Sequence, residues 1–214
     1  MIHSKLELRK DGADLRKGGA PLLLGISSGV IAGGCYYADD LKIVAHSLGI
    51  WILICGVLCI GQSWRAAFIL SCTALGTAVC SFYVSRSVIY GFLYEGHYPL
   101  DLETILLWLS IAVAISPVFA WTGSRIRQGS GQAPFCAALY FGLLMSDAIH
   151  ASTRWSWVHQ LPLLAVSGVG VVLLLAKISR FGVSRIKTAL WSVPVATVGL
   201  FLLSVPDALQ SLFL

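Results

Sequence analysis

Charged residues are scarce in this chain, and several common catalytic motifs are missing. Lys, Arg, Asp and Glu make up 12% of the 214 residues, against 57% hydrophobic residues and a mean hydropathy of +0.82. This composition excludes an ordinary soluble domain and is typical of a polytopic membrane protein. The sequence has no GxSxG elbow, HExxH pair, P-loop or GxGxxG fingerprint, which argues against an enzyme without excluding one.

Zinc-type signatures are also absent. The six cysteines form no CxxC pair and no Cys/His spacing typical of a zinc site. Cys55 and Cys59 share a helix face, where buried cysteines commonly fill a core. Cys35 and Cys80 approach the same predicted membrane boundary, so a disulfide between them is geometrically conceivable, beside the more ordinary alternative of free thiols. The sequence identifies no cofactor.

Seven apolar stretches predict transmembrane helices. At about 1.5 Å per residue, each is long enough, or nearly so, to cross a hydrocarbon layer of about 30 Å. We predict an all-α bundle with a basic cytoplasmic segment at 1–19 and one transmembrane domain at 20–214. Its predicted spans are 20–38, 43–61, 66–84, 104–122, 133–153, 159–177 and 188–206.

Threading these spans alternately across a bilayer sorts the basic residues. One side receives 12 of the 15 Lys and Arg, and only Lys42, Arg86 and Arg154 fall on the other. The positive-inside rule then predicts a cytoplasmic amino terminus and an external carboxyl terminus. Basic residues beside a bilayer contact anionic lipids, so the net charge of +5 does not indicate a nucleic-acid partner.

The first span contains a stripe of glycines. Gly25, Gly29 and Gly33 recur every four residues and lie on one helix face, where another backbone can approach closely. A cleaved lipoprotein signal ending before Cys35 is a weaker reading, because Ala32 replaces the large aliphatic residue such a signal carries. The stripe predicts helix packing within the chain, or alternatively contact with a second copy or another membrane protein.

A similar stripe of small residues occurs in the fifth span. Ala138, Gly142 and Ser146 also recur every four residues and predict a second close helix contact.

The fifth span also carries the one carboxylate predicted to lie well inside the hydrocarbon. Asp147 is about 21 Å along this helix, counted from Ala133. A charge at that depth is costly, so it should face the bundle, find a partner or be protonated. His150 and Arg154 follow at i+3 and i+7, which places all three on one face as a polar ladder toward the outside.

Further polar residues fall on the same predicted side. His46, His97 and Glu95 complete a set that would suit an outward-facing vestibule for a ligand or ion, a proton relay or a metal site. The alternative is structural: His and acidic residues near an interface are often solvated, and Asp147 would then bond to Arg154 or to a neighbouring helix. The loop predicted at 85–103 is rich in tyrosine and is expected to lie in the headgroup layer.

A resemblance to a known family rests on several apolar motifs. Ser47-Leu48-Gly49-Ile50-Trp51, then Trp64-Arg65-Ala66-Ala67, Phe82-Tyr83 and the segment from Trp108 to Arg127 resemble DUF6518, a family of small bacterial multi-pass membrane proteins of unknown function. In that family paired tyrosines end the third helix, and here Phe82 replaces one of them. The resemblance implies the topology and a bacterial plasma membrane, and it brings no activity or site residues.

Three function classes remain open from the sequence. The first is a small-solute or ion transporter, or its substrate-binding membrane subunit, which would use the outer polar residues as its vestibule. The second is a non-catalytic accessory, immunity or assembly protein that acts through helix contacts. The third is a membrane-embedded hydrolase or transferase. An internal cavity reaching Asp147 would favour the first class.

Overall fold

The structure is a computed structural model that describes the backbone of residues 19–96, 98–154 and 157–213 and the side chains of 19–96, 98–152 and 160–201. The predicted all-α fold is confirmed, since this part of the chain contains helices and no strand. Its eight α-helices are α1 (Gly19–Cys35), α2 (Lys42–Ala45), α3 (Gly49–Cys59), α4 (Trp64–Tyr94), α5 (Leu102–Arg127), α6 (Ala133–Arg154), α7 (Trp157–Ile178) and α8 (Arg185–Phe213).

Within the described residues, four segments are long and apolar enough to cross a membrane. They are Trp64–Tyr94, Leu102–Arg127, Ala133–Ser152 and Gln160–Phe181. A fifth span is possible if Asp39–Ala45 and Gly49–Cys59 count as one broken helix with a bend of 46°, whereas Gly19–Cys35 is shorter. The chain is therefore a helical membrane protein, and many large aliphatic side chains on these helices are exposed, as a lipid-facing surface requires.

Two predicted elements differ from the structure. The second predicted span, 43–61, is not one helix, because residues 46–48 interrupt it between α2 and α3. The loop predicted at 85–103 is also wrong over its first half, since α4 continues to Tyr94. In this extension Ser85 contacts Gly33 of α1 and Tyr90 lies beside Tyr37, and the helix ends at Glu95, which adopts a left-handed φ of 50°.

Side-chain caps mark the start of α4 and of α5. Ser63 accepts a hydrogen bond from the amide of Ala66 at the start of α4. Asp101 accepts one from the amide of Thr104 and another from its hydroxyl at the start of α5. Both residues satisfy amides that the first helical turn leaves without an internal partner.

The core is organised around the short helix α3. This helix packs against α4, α5, α6 and α7, and its Ile52, Cys55 and Cys59 are buried. Around it lie Tyr140 of α6 and Leu174 of α7, both fully buried. Because α3 also contacts α1, it packs against five helices and lies at the centre of the bundle.

The predicted glycine stripe of α1 lies against α4. A Cβ at Gly25, Gly29 or Gly33 would come within 1.9 to 2.1 Å of a hydroxyl oxygen of α4. The hydroxyls belong to a matching stripe on α4, also spaced by four residues: Thr77, Ser81 and Ser85. The two backbones therefore approach as closely as only glycine permits.

The second predicted stripe lies between α6 and α8. A Cβ at Gly142 would meet Val195 at 2.5 Å, and the hydroxyl of Ser146 donates to the carbonyl of Ala196 at 2.8 Å. Ala138 is fully buried in the same helix. Small residues thus bring α6 and α8 together along most of their shared length.

Candidate functional site

Asp147 is buried beside the interruption between α2 and α3. It is 4% exposed and is the only buried charged residue among the described side chains. Its Oδ1 accepts a hydrogen bond from the amide of Leu48 at 3.0 Å, and its Oδ2 accepts one from the amide of Gly49 at 3.1 Å. The carboxylate of α6 therefore binds two amides at the start of α3.

The hydroxyl of Ser47 completes this arrangement. Ser47 Oγ accepts a bond from the amide of Gly49 at 3.0 Å and lies 2.5 Å from Asp147 Oδ2. The Ser47 hydroxyl donates to Oδ2 of Asp147. Three groups of the chain therefore donate to this carboxyl group, an arrangement that suits its ionised form.

Glycine at position 49 allows the carboxylate to come this close. A Cβ there would lie 2.9 Å from Asp147 Oδ2 and 3.1 Å from Ser47 Oγ. A side chain would push the carboxylate away from the amides that it binds. The sequence Ser47-Leu48-Gly49 is thus a helix start that is completed by a residue on another helix.

The opposite end of α3 is held by a basic residue of α7. Lys177 Nζ donates a hydrogen bond to the carbonyl of Val57, which lies in the last turn of α3. Helix amino termini favour negative charge and carboxyl termini favour positive charge. Asp147 and Lys177 therefore both match the dipole of the helix between them.

The other predicted vestibule residues are dispersed. His150 lies one turn beyond Asp147 on α6, is half-buried and interacts electrostatically with Asp147. His46 is exposed beside the ring of Tyr36, with centroids 5.6 Å apart. Glu95 is exposed at the end of α4. His97 lies outside the described residues, as does the side chain of Arg154.

A cluster of aromatic and basic residues, not foreseen from the sequence, lies beside the broken span. The guanidinium of Arg86 lies 4.0 Å from the ring centroid of Tyr36 and 4.6 Å from that of Tyr98, whose hydroxyl accepts a bond from Nη2. Lys42 Nζ lies 5.7 Å from the same Tyr36 ring. These contacts join the segment after α1 to α4 and to the segment before α5.

Neither a disulfide nor a metal cluster occurs in the described part of the chain. All six cysteines are free, so the bond considered between Cys35 and Cys80 is not formed. Among the side chains described, no three His, Cys, Asp or Glu lie close enough together to hold one metal ion.

An open cavity of about 330 Å³ lies between α6, α7 and α8. Asp147 is not among its lining residues, which include Met145 and Arg185. This cavity is therefore not the one that a vestibule at Asp147 would require.

Sequence comparison gives a family and no activity. The model of one protein family, described as a family of unknown function (DUF6518), matches residues 10–209. No curated protein and no solved structure matches the chain.

Proposed function

The chain belongs to DUF6518, a family of unknown function, and from its own geometry we propose that it is a carrier for a small solute or an ion in the bacterial plasma membrane. Its working site is the break between α2 and α3, together with Asp147. The observation that carries the proposal is a buried carboxylate bonded to the freed amides of an interrupted helix.

Interrupted helices are a recurrent feature of transporter sites. Their half-helix ends offer amides and carbonyls to a substrate or coupling ion inside the membrane, where unbroken helices offer none. Here the carboxylate occupies the amide end of α3 in the resting arrangement. A cation or a proton that binds Asp147 would weaken its bonds to Leu48 and Gly49 and free α3 to move.

The same proposal includes seven crossings with a cytoplasmic amino terminus. The support is the distribution of Lys and Arg, with 12 on one side of the membrane and three on the other. This distribution holds only if α1, the pair α2–α3 and α8 each cross the membrane once. Alkaline phosphatase, which is active only outside the inner membrane, tests it as a fusion partner. Fusion after Gly96 should be active and fusion after Gly131 inactive, and the reverse pattern would contradict the orientation.

Transport is tested in proteoliposomes by recording currents on a solid-supported membrane. The panel consists of concentration jumps of H⁺, Na⁺, K⁺, amino acids, hexoses and polyamines. At least one jump should give a transient current in the wild type and none in Asp147→Asn. A panel without any wild-type current, or with equal currents in both proteins, contradicts the carrier.

The matched control for this experiment is Asp101→Asn. Asp101 also accepts bonds from a backbone amide and a hydroxyl at a helix start, but it is exposed, at the start of α5. It should keep the wild-type current. Both variants must elute as folded, monodisperse protein before their currents are compared.

One observation favours the non-catalytic accessory protein as a second candidate. All three donors to Asp147 belong to the chain itself, so the carboxylate is satisfied without any ligand. This is what a purely structural carboxylate requires. In that case Asp147→Asn would lower stability, and no solute of the panel would give a current in any variant.

A further inference from the structure

The cavity between α6, α7 and α8 has the form of a groove along the membrane-facing surface. Met145 of α6 contributes to its floor, and Val171 and Leu175 of α7 face Ala189 and Val193 of α8 across it. From Val171 to Ser179, and again from Arg185 to Val193, each wall extends about 12 Å along its helix. The groove is long and narrow, and its walls are largely aliphatic.

The few hydroxyls in the groove are already used. Ser192 donates to the carbonyl of Thr188, Thr188 donates to that of Ser184, and Ser179 donates to that of Ala176. Because each hydroxyl satisfies a carbonyl of its own helix, the walls offer few polar partners to an occupant. A hydrocarbon chain is the kind of ligand that such walls suit.

One end of the groove is strongly basic. Arg185 lines the groove and is exposed, and Arg180 and Lys187 lie close to it in sequence and are exposed as well. The chain has no Asp or Glu anywhere from 148 to 206, so neither α7 nor the lining part of α8 supplies an acid to neutralise them. Within the described part of the chain these cations have no acidic partner, so an anionic group from outside the chain can pair with them.

We propose that this groove binds one anionic phospholipid, with an acyl chain between α7 and α8 and its phosphate at Arg185. Basic pockets between transmembrane helices on the cytoplasmic side bind such headgroups. The aliphatic walls of the groove would hold the acyl chain attached to the headgroup. The assignment to the cytoplasmic leaflet rests on the orientation proposed above. The binding itself does not depend on transport, so the two proposals fail separately.

Native mass spectrometry of the full chain in detergent tests the lipid site. The protein is titrated with dioleoyl phosphatidylglycerol or dioleoyl phosphatidylcholine, which share their acyl chains and differ in charge. The wild type should retain one phosphatidylglycerol in preference to phosphatidylcholine. Equal retention of the two lipids would overturn the proposal.

Two substitutions separate the contact with the lipid headgroup from the contact with the acyl chain. Arg185→Gln should bind phosphatidylglycerol about fivefold more weakly, the effect of about one surface cation, and leave phosphatidylcholine unchanged. Ala189→Trp fills the groove from an exposed position and should abolish the specific site. Unchanged phosphatidylglycerol retention in either variant would contradict the site.

A matched control removes a charge elsewhere on the same side. Arg65 is exposed at the start of α4, outside the groove, so Arg65→Gln should retain phosphatidylglycerol as the wild type does. Loss equal to that of Arg185→Gln would mean that the preference reflects total charge, and the site would be rejected. A lipid-free wild-type dimer that Ala189→Trp dissociates would assign the groove to a second copy instead.

Discussion

Ser47 and Asp147 are 100 positions apart in sequence and 2.5 Å apart between Ser47 Oγ and Asp147 Oδ2. The contact joins the turn before α3 to the middle of α6. It also explains how a broken span is tolerated in the bundle, because the carboxylate satisfies amides that the interruption frees.

Replacing the two partners should have unequal effects on stability. Asp147→Leu leaves the amide of Leu48 unsatisfied, at about 1 to 3 kcal/mol, while the amide of Gly49 keeps its bond to Ser47 Oγ. Ser47→Ala removes one hydroxyl bond and should cost about 0.6 to 1.7 kcal/mol, the range for hydrogen bonds between membrane helices. Unfolding in mixed micelles with increasing SDS measures both losses of stability. A larger loss in Ser47→Ala than in Asp147→Leu would contradict the geometry.

The glycine stripe of α1 offers a test with a control on the same helix. In Gly29→Ala the new Cβ would lie 2.0 Å from Ser81 Oγ and 2.3 Å from the carbonyl oxygen of Ala78. Since the carbonyl cannot rotate away, α1 must shift, at about 1 to 3 kcal/mol.

Gly34 provides the matched comparison, because a Cβ there meets nothing within 4 Å. Gly34→Ala should be neutral or slightly stabilising, because alanine is the better helix former. The same SDS titration compares the two variants. Equal loss of stability in both would show that α1 is sensitive to any added methyl group and not to its contact with α4.

Lys177 should stabilise the carboxyl end of α3. Lys177→Met keeps the length of the side chain and removes the donor to the carbonyl of Val57. The expected loss is about 0.6 to 1.7 kcal/mol, measured by the same unfolding assay. Lys187→Met, at an exposed site on α8, serves as the control and should change stability little.

Acid should loosen the start of α5. The Thr104 hydroxyl, followed by the Thr104 amide, lowers the pKa of Asp101 by bonding to its ionised form. The cap is therefore fully present above the pKa of the unfolded chain and is lost as pH falls through the lowered pKa.

Hydrogen exchange of the Thr104 amide, corrected for its intrinsic pH dependence, reports this loss. Protection should decrease on acidification in the wild type and be weaker and flatter with pH in Asp101→Asn. A wild-type protection factor that does not change as Asp101 is protonated would exclude the cap as its cause.

Much of the bundle follows from hydropathy alone, because long apolar runs have few alternatives to helices in a membrane. The burial of Asp147 was predicted on the same basis, since its depth in an apolar run requires a polar partner. Arg154 and a neighbouring helix are the partners that the sequence suggests; the structure shows bonds to the turn before α3, whose residues the sequence does not single out as partners. His46 and Ser47 interrupt the apolar run too briefly to indicate a break.

Ser47-Leu48-Gly49 does carry a readable signal for a helix start, as serine before an apolar run often caps a helix. The second cap on the same turn comes from a residue 100 positions away, and only the packing of α6 beside α3 reveals it. The partner of the glycine stripe was hidden in the same way: Thr77, Ser81 and Ser85 show the matching period, but no local pattern tells which helix faces them.

The most direct test of the account is amide hydrogen exchange at Leu48 and Gly49. Both amides should be protected in the wild type and in Asp101→Leu. In Asp147→Leu the Leu48 amide should exchange much faster, and the Gly49 amide, which also bonds to Ser47 Oγ, should lose less protection. Protection of the Ala67 amide in α4, which bonds to the carbonyl of Ser63, should be the same in all three proteins. Equal exchange of Leu48 and Gly49 with and without the carboxylate would show that Asp147 does not hold the start of α3, and the proposed site would be wrong.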